Sequence, residues 1–279
     1  MAANLVGAGF HVVGYNRSEA ALGELVRRGG EAASGVADLA ARCGLVITML
    51  PDSPDVREVV LGEGAVIDHA QPGTVLIDMS TVDPGLAVEI DVAARQRDIR
   101  TLDAPVSGGE TGAIQGTLAI MVGGEASVFE DARPVLEAMG TTVVHVGPSG
   151  AGQTVKAANQ LLVGGHIALL AEAIRFLEAS RIQLEPALNV LSGGLAGSRV
   201  LERKAPMMAA RKFDPSFRAE LHHKDMGILL RAARDSNVPL PITASVGQLF
   251  SALIAMGGGA LDHSALLSVL DSMVGVRGP

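Results

Sequence analysis

Short apolar runs mark the first half of the chain, and apolar residues at helical spacing mark the second. Residues 11–15 (HVVGY) read as a short strand, and Ser18 then caps a helix to about residue 28. Residues 45–50 form an apolar run of the kind expected of a parallel strand buried on both faces. Ser53-Pro54 opens the next helix, with proline at its first helical position. Residues 74–78 read as another strand, and Asp83-Pro84 opens a helix to about residue 97. Residues 100–103, 118–122 and 143–146 follow as strands, with a helix over 126–139 between the last two. This alternation implies right-handed crossovers and a doubly wound α/β sheet.

After Gly147-Pro148-Ser149-Gly150 the pattern changes. A long helix is predicted over about 151–180, then only helical patterns over 185–191, 198–203, 218–236, 242–256 and 262–274. The chain therefore divides into an α/β domain over 1–148 and an all-α domain over 149–279.

Composition narrows the picture. At 48% hydrophobic and 19% charged, the 279 residues supply a large core and not a disordered chain. Aromatic residues are only 3% and glycines number 34, so the core is built from Leu, Val, Ala and Ile with close backbone packing. A formal net charge of −8 without a long basic run argues against nucleic acid as a partner. One cysteine, Cys43, excludes an internal disulfide and suits a reducing compartment. The start lacks a basic leader and an apolar core, and the longest apolar run, 161–171, contains His166 and is shorter than the ~20 residues of a membrane span. A soluble, cytoplasmic protein with no membrane role is expected.

Two segments carry the chemistry. Asp103-Ala104-Pro105-Val106-Ser107-Gly108-Gly109 ends in a small-residue loop whose bare amides can close on a carboxylate. Lys156, Asn159 and Gln160 share one helix face by their i, i+3, i+4 spacing. The neighbours Val155, Ala157, Ala158, Leu161 and Leu162 make that helix apolar nearly all round, so Lys156 is expected to be buried. A buried lysine is tuned toward acid–base work near neutral pH. A solvated surface lysine and a flexible glycine turn are the plainer readings of the same residues. His222 and His223 face different sides of a helix, and no Cys or Glu spacing completes a tetrahedral site beside them, so no metal site is expected.

The loop, continued through Gly112, Gly116-Thr117 and Met121-Val122-Gly123-Gly124, together with the segment from Gly150 to Gln160, resembles the β-hydroxyacid dehydrogenase family. That family includes 3-hydroxyisobutyrate dehydrogenase, tartronate semialdehyde reductase and glyoxylate/succinic semialdehyde reductases. The resemblance implies a Rossmann-like domain followed by an all-helical substrate and dimerisation domain. It implies Lys156 as the proton donor and acceptor, and Ser107, Gly108 and Gly109 as the holders of the substrate carboxylate. Asn159 and Gln160 would orient the substrate or the lysine, and Asp225 would hold Lys156 or the loop. On the cofactor side it implies Leu50, Pro51, Val56, Thr81, Phe217 and Lys224. Asn16, Arg17 and Ser18 stand where an acid would hold a ribose 2′-hydroxyl; an arginine there suits a 2′-phosphate, so NADP is preferred, with NAD possible. A homodimer or homotetramer is expected, with Gly164-Gly165 allowing another backbone to approach.

The front of the chain departs from the family pattern. Met1–Leu5 matches the first family helix (Met-Ala-x-Asn-Leu), whereas Gly7-Ala8-Gly9 precedes a strand and reads as a helix C-cap turn. The expectation is a Rossmann-like sheet lacking its first strand and Gly-rich loop, roughly a dozen residues in such a βα unit. A start placed too late and a natural shortening both account for this. The second leaves open a cofactor-deficient pseudoenzyme of the same fold. An imine reductase-like activity ranks lower, because those enzymes usually lack the lysine that Lys156 provides.

Overall fold

The computed structural model describes residues 1–275. The chain falls into two compact units, the first spanning Met1–Lys156 and the second beginning at Ala157. The first holds eight strands: β1 Val13–Gly14, β2 Glu31–Ala32, β3 Leu45–Thr48, β4 Val75–Asp78, β5 Arg100–Asp103, β6 Val106–Ser107, β7 Leu118–Gly124 and β8 Gly140–Gly147. β1 and β2 form a parallel pair of their own. The other six form one sheet in the order β3-β4-β5-β7-β6, with β8 also paired to β7.

The sheet is the Rossmann-like one expected, with one feature the alternation of elements did not announce: it is mixed. β3, β4 and β5 run parallel, but β7 is antiparallel to both β5 and β6. The reason is the length of the connection. Between β6 and β7 the chain inserts only the seven-residue helix Gly109–Gln115 and a Gly116 turn, too little for a parallel crossover. Ala104-Pro105 interrupts what would be one long strand along β7, and Met121 N donates to the Pro105 carbonyl across the break. The strand expected to be covered on both faces, β3, instead alternates, with Val46 and Thr48 buried and Leu45 and Ile47 half-buried, while all four residues of the next strand, β4, are buried. Helices Val36–Arg42 and Val66–His69, and strand β2, are too short for periodicity to reveal.

The helix starts follow their punctuation. Asp52 and Asp83 accept N–H from Ser53 and Gly85 at the heads of Ser53–Leu61 and Pro84–Arg95, each with Pro in its first turn. Ser18 precedes Glu19–Arg27 as predicted but makes no cap bond; instead Asn16 Oδ1 accepts from Ser18 N at 2.8 Å. Ala8-Gly9 ends helix Ala2–Gly7, with Gly9 at φ +89°, so this glycine pair is a helix exit and not a phosphate loop.

Helix Ala151–Ala179 spans 29 residues and passes from the first unit into the second. Its extent goes beyond the apolar run 161–171: by length and apolar composition the whole helix could cross a bilayer, a test that the core helix of a protein also passes. In the second unit its inward face supplies Ile167, Leu170, Ala171 and Ile174 to a core shared with Met226, Leu229, Phe250, Leu253 and Leu266. Those partners come from helices Ala219–Asp235, Pro241–Ala255 and Leu266–Met273, with Leu184–Ser192 and Arg199–Ala209 packed at the side. Each of the Leu, Ile, Met and Phe side chains among them, once buried, contributes roughly 1.5–3 kcal/mol.

Candidate active site

Three parallel strands end on polar side chains in one register. Thr48, Asp78 and Asp103 are the last residues of β3, β4 and β5 and pair side by side. All three are buried. Thr48 Oγ1 donates to Asp78 Oδ1 at 2.8 Å, and Ser80 N donates to the same oxygen at 3.1 Å. Ser80 Oγ accepts from Leu50 N at 2.8 Å, which joins the ends of β3 and β4. Gln153, 1% exposed, clamps the turn after β4: its Oε1 accepts from Val82 N at 3.1 Å and its Nε2 donates to Ser80 O at 2.8 Å. Thr81 sits half-buried inside that clamp. Sequence reasoning passed over Asp78, Ser80, Asp103 and Gln153. The available signal was a polar residue, Thr48, Asp78 or Asp103, closing each of three successive strands.

The substrate loop of the sequence analysis becomes β6, a turn and a short helix. Gly108 (φ +138°) and Gly109 (φ +65°) take backbone shapes that disfavour side chains. A Cβ on Gly108 or Gly112 would also lie 3.1 or 3.2 Å from Leu118 Cδ2, so the loop rests directly on β7. Asn4 Nδ2 donates to Ala113 O at 3.0 Å, giving the Met-Ala-x-Asn-Leu segment the task of holding this short helix. Ser107 Oγ has no hydrogen-bond partner among the described residues. Lys156 is 6% exposed, as its apolar neighbours predicted, and its Nζ donates to Val106 O at 2.8 Å. The structure thus brings the predicted base to the residue preceding Ser107.

Further along the same helix, the second unit holds a second cluster. Asn159 Nδ2 donates to Gln160 Oε1 at 2.7 Å, and Gln160 Nε2 donates to Asp225 Oδ2 at 2.6 Å. Lys224 Nζ lies 3.2 Å from Asp225 Oδ1. Gln160 and Asp225 are buried, whereas Asn159 is half-buried. Phe217 packs edge-on against His222 and His263, at 5.9 and 5.3 Å. His222 Nδ1 and His263 Nδ1 are 2.8 Å apart, so one proton is shared along that line. His223 turns away to Ser251 Oγ at 3.0 Å.

The cofactor-side residues differ in exposure. Asn16, Arg17 and Ser18 are exposed just past β1, and Arg17 makes no ion pair among the described residues. Leu50 is half-buried and Pro51 exposed at the end of β3, where ligands of open α/β sheets sit. Val56 is different: it has no exposed surface and packs with Val46, Leu76 and Leu86. Its part is to support the strand end from below, and it offers a ligand no surface.

Comparison with known proteins agrees with this fold. Residues 1–147 match the NAD binding domain of 6-phosphogluconate dehydrogenase, and residues 150–270 match the family described as NAD-binding of NADP-dependent 3-hydroxyisobutyrate dehydrogenase. With the Rossmann-like sheet and helical second unit, this defines an NAD(P)-dependent oxidoreductase. The 2-hydroxy-3-oxopropionate reductase of Escherichia coli is 38% identical, covering 98% of this chain and 93% of its own length. The 2-(hydroxymethyl)glutarate dehydrogenase of Eubacterium barkeri is also 38% identical, over 99% of this chain and 92% of its own. The solved Mycobacterium tuberculosis 3-hydroxyisobutyrate dehydrogenase with L-serine has a TM-score of 0.87 at 31% identity, covering 96% of this chain and 94% of that one. The chain belongs to the β-hydroxyacid dehydrogenase family.

Proposed function

We propose that this chain is an NADP-preferring dehydrogenase of small β-hydroxy acids and their semialdehydes, with Lys156 as general acid–base. The observation that carries the reading is a buried lysine hydrogen-bonded to the carbonyl next to Ser107. A β-hydroxy acid presents two groups to such a place: a carboxylate for the Ser107 hydroxyl and the glycine amides, and a hydroxyl for the amine. The nicotinamide, when bound, exchanges a hydride with the carbon bearing that hydroxyl. In reduction, the Lys156 ammonium gives its proton to the carbonyl oxygen and is left as the neutral amine. In oxidation the amine takes the hydroxyl proton back. Gln160, locked to Asp225, sets the orientation of Asn159, and we assign this pair to orienting the substrate or the lysine.

Arg17 supports the NADP preference, since a cation there meets a 2′-phosphate and has no counterpart in NAD. Leu50, Pro51 and Thr81 would hold the cofactor along the strand ends, with Lys224 and Phe217 at the nicotinamide. Leu162, Leu169 and Phe176 stand exposed at seven-residue intervals on helix Ala151–Ala179, and we read that stripe as the surface on which a second copy packs. Of the glycine pair, Gly164 packs against His222 while Gly165 faces open space, so Gly165 is the one that can admit a neighbour. A monomer in light scattering at micromolar concentration contradicts this part.

The functional test is an oxidation assay with NADP+ and with NAD+ on matched 3-carbon and 4-carbon acids carrying the hydroxyl at the α or the β carbon. Turnover of the β-hydroxy acids, faster with NADP+, is expected. Oxidation of the α-hydroxy isomers instead, or no oxidation by a folded protein that binds neither cofactor, contradicts the proposal.

A further inference from the structure

Asp103 has a place in the site but no part in the chemistry described so far. Its two carboxylate oxygens each accept one backbone N–H at the head of helix Ala151–Ala179: Oδ1 from Gly150 at 2.8 Å and Oδ2 from Gln153 at 2.9 Å. These are the N-cap and third-residue amides, two of the donors that a helix start leaves unsatisfied. A capping box meets the same two with two side chains of the helix itself; here one carboxylate from β5 meets both. The fit is close. A Cβ on Gly123 would collide with Asp103 Oδ1, and one on Gly152 would lie 2.5 Å from Asp103 O and 2.8 Å from Oδ2. Three residues after Asp103 comes Val106, whose carbonyl receives Lys156 Nζ. The segment 103–106 therefore grips the helix twice, once at its first turn and once through the lysine itself.

We propose that Asp103 is a positioning residue, whose carboxylate fixes the head of this helix and thereby sets where Lys156 Nζ stands beside Ser107. The proposal rests on the reading of Lys156 as the acid–base group. An ionised carboxylate accepts both amides with charge assistance at the positive end of a helix. A protonated one presents an O–H toward an amide N–H and gives up one of the two bonds. Burial pushes the Asp103 carboxyl up to about 6, the amides of Gly150 and Gln153 pull against that, and Asp78 beside it on β4 adds to the rise. From β7 the facing residue is Gly123; from helix Pro84–Arg95, Ala87 and Ile90 face the space beside Asp78 and Asp103; from helix Ala151–Ala179 come the amides, with Lys156 a turn further on. Asp78 is thus the titratable neighbour, and below about pH 6 the grip loosens.

The test is a set of kcat profiles between pH 5 and 8 for the wild type, Asp103→Asn, Lys156→Ala and the double variant. Asparagine keeps the shape but turns an N–H toward an amide N–H. The wild-type kcat is expected to fall below about pH 6. Asp103→Asn should lower kcat about 10- to 100-fold at pH 7, the scale of a displacement near 1 Å, with KM little changed and the acid limb gone. In the Lys156→Ala background the same substitution should cost nothing further, because it acts through the lysine. Asp103→Asn at wild-type kcat, an equal loss with and without Lys156, or a flat wild-type profile from pH 5 to 7 overturns the proposal. If Asp103→Asn fails to fold, the wild-type profile decides alone. Undiminished turnover in Lys156→Ala would instead refute the acid–base reading beneath it.

Discussion

Asp103 in the first unit and Asp262 in the second are both buried, at 4% and 0% exposure, and both accept backbone amides, yet their carboxyls are driven in opposite directions. Burial lifts Asp103 to about 6, and no cation stands against it among the described residues; its nearest charged neighbour is another acid, Asp78. Burial also pushes Asp262 up, but Lys204, the Ser264 hydroxyl, His263 and the Ser264 amide together hold it well below the usual carboxylate range. Lys204 Nζ lies 2.8 Å from Asp262 Oδ1, and Ser216 and Phe217 add their amides to Oδ2. The largest difference is the Lys204 ammonium, with the Ser264 hydroxyl and His263 adding to it on one side and Asp78 working against Asp103 on the other. With a cation, a buried carboxylate becomes a structural joint that is ionised at every working pH. Without one, it titrates in the range where catalysis takes place.

The largest effect expected from this contrast is on stability. Asp262 ties residues 213–217 to the segment that precedes helix Leu266–Met273, so Asp262→Ala leaves Lys204 and several donors without their acceptor. A loss of about 3–5 kcal/mol in urea unfolding is expected; a loss under about 1 kcal/mol would mean that water replaces the carboxylate freely.

A smaller, pH-resolved effect separates the two acids. Asp103 has a raised value in the folded chain, so the folded state keeps a proton that the unfolded state has released. Its contribution is present below the ordinary 3.8 and is lost as pH rises through about 6, an amount of about 3 kcal/mol. Asp262 has the opposite sign, and its contribution is lost only as pH falls toward its depressed folded value. Urea midpoints from pH 4 to 8 should show a falling component between pH 4 and 6 in the wild type that disappears in Asp103→Asn. If Asp103 serves the reaction, rate and stability run in opposite directions over this window. A wild-type midpoint that rises from pH 4 to 6 and is unchanged by Asp103→Asn would contradict the raised carboxyl.

Smaller again is the effect of crowding the Asp103 grip. Gly152→Ala places a methyl 2.5 Å from the Asp103 carbonyl, so backbone must move, at about 1–3 kcal/mol. A melting curve unchanged from wild type would show that the helix head is not tightly held.

The same contrast explains what was legible in the chain. Asp83 and the proline starts were readable because a cap acts on its own helix, within a few residues of sequence, although the cap of the Ser53–Leu61 helix proved to be Asp52, one residue before the Ser53-Pro54 start. Lys156 was readable because its own helical neighbours are apolar, so its burial is a local property. Asp103 caps a helix that begins nearly fifty residues later, and no local pattern announces such a partner. Gln153 read as an ordinary helical residue, yet its amide reaches back to the turn at Ser80 and Val82. The mixed sheet was missed for a related reason: direction is set by the brevity of the link from β6 to β7, and that small-residue stretch read as loop until Gly109–Gln115 proved helical. Val56 was misplaced because the matched motif marks a position along the chain and not which face of its helix is covered.

The most direct measurement for the account as a whole is stopped-flow oxidation of bound NADPH by a small β-semialdehyde acid, in the wild type and in Lys156→Ala, with NADPH affinity titrated alongside. The account predicts unchanged NADPH affinity and a 10²- to 10⁴-fold slower oxidation step in the variant, the scale of lost acid–base catalysis. An oxidation rate in Lys156→Ala equal to that of the wild type would contradict it.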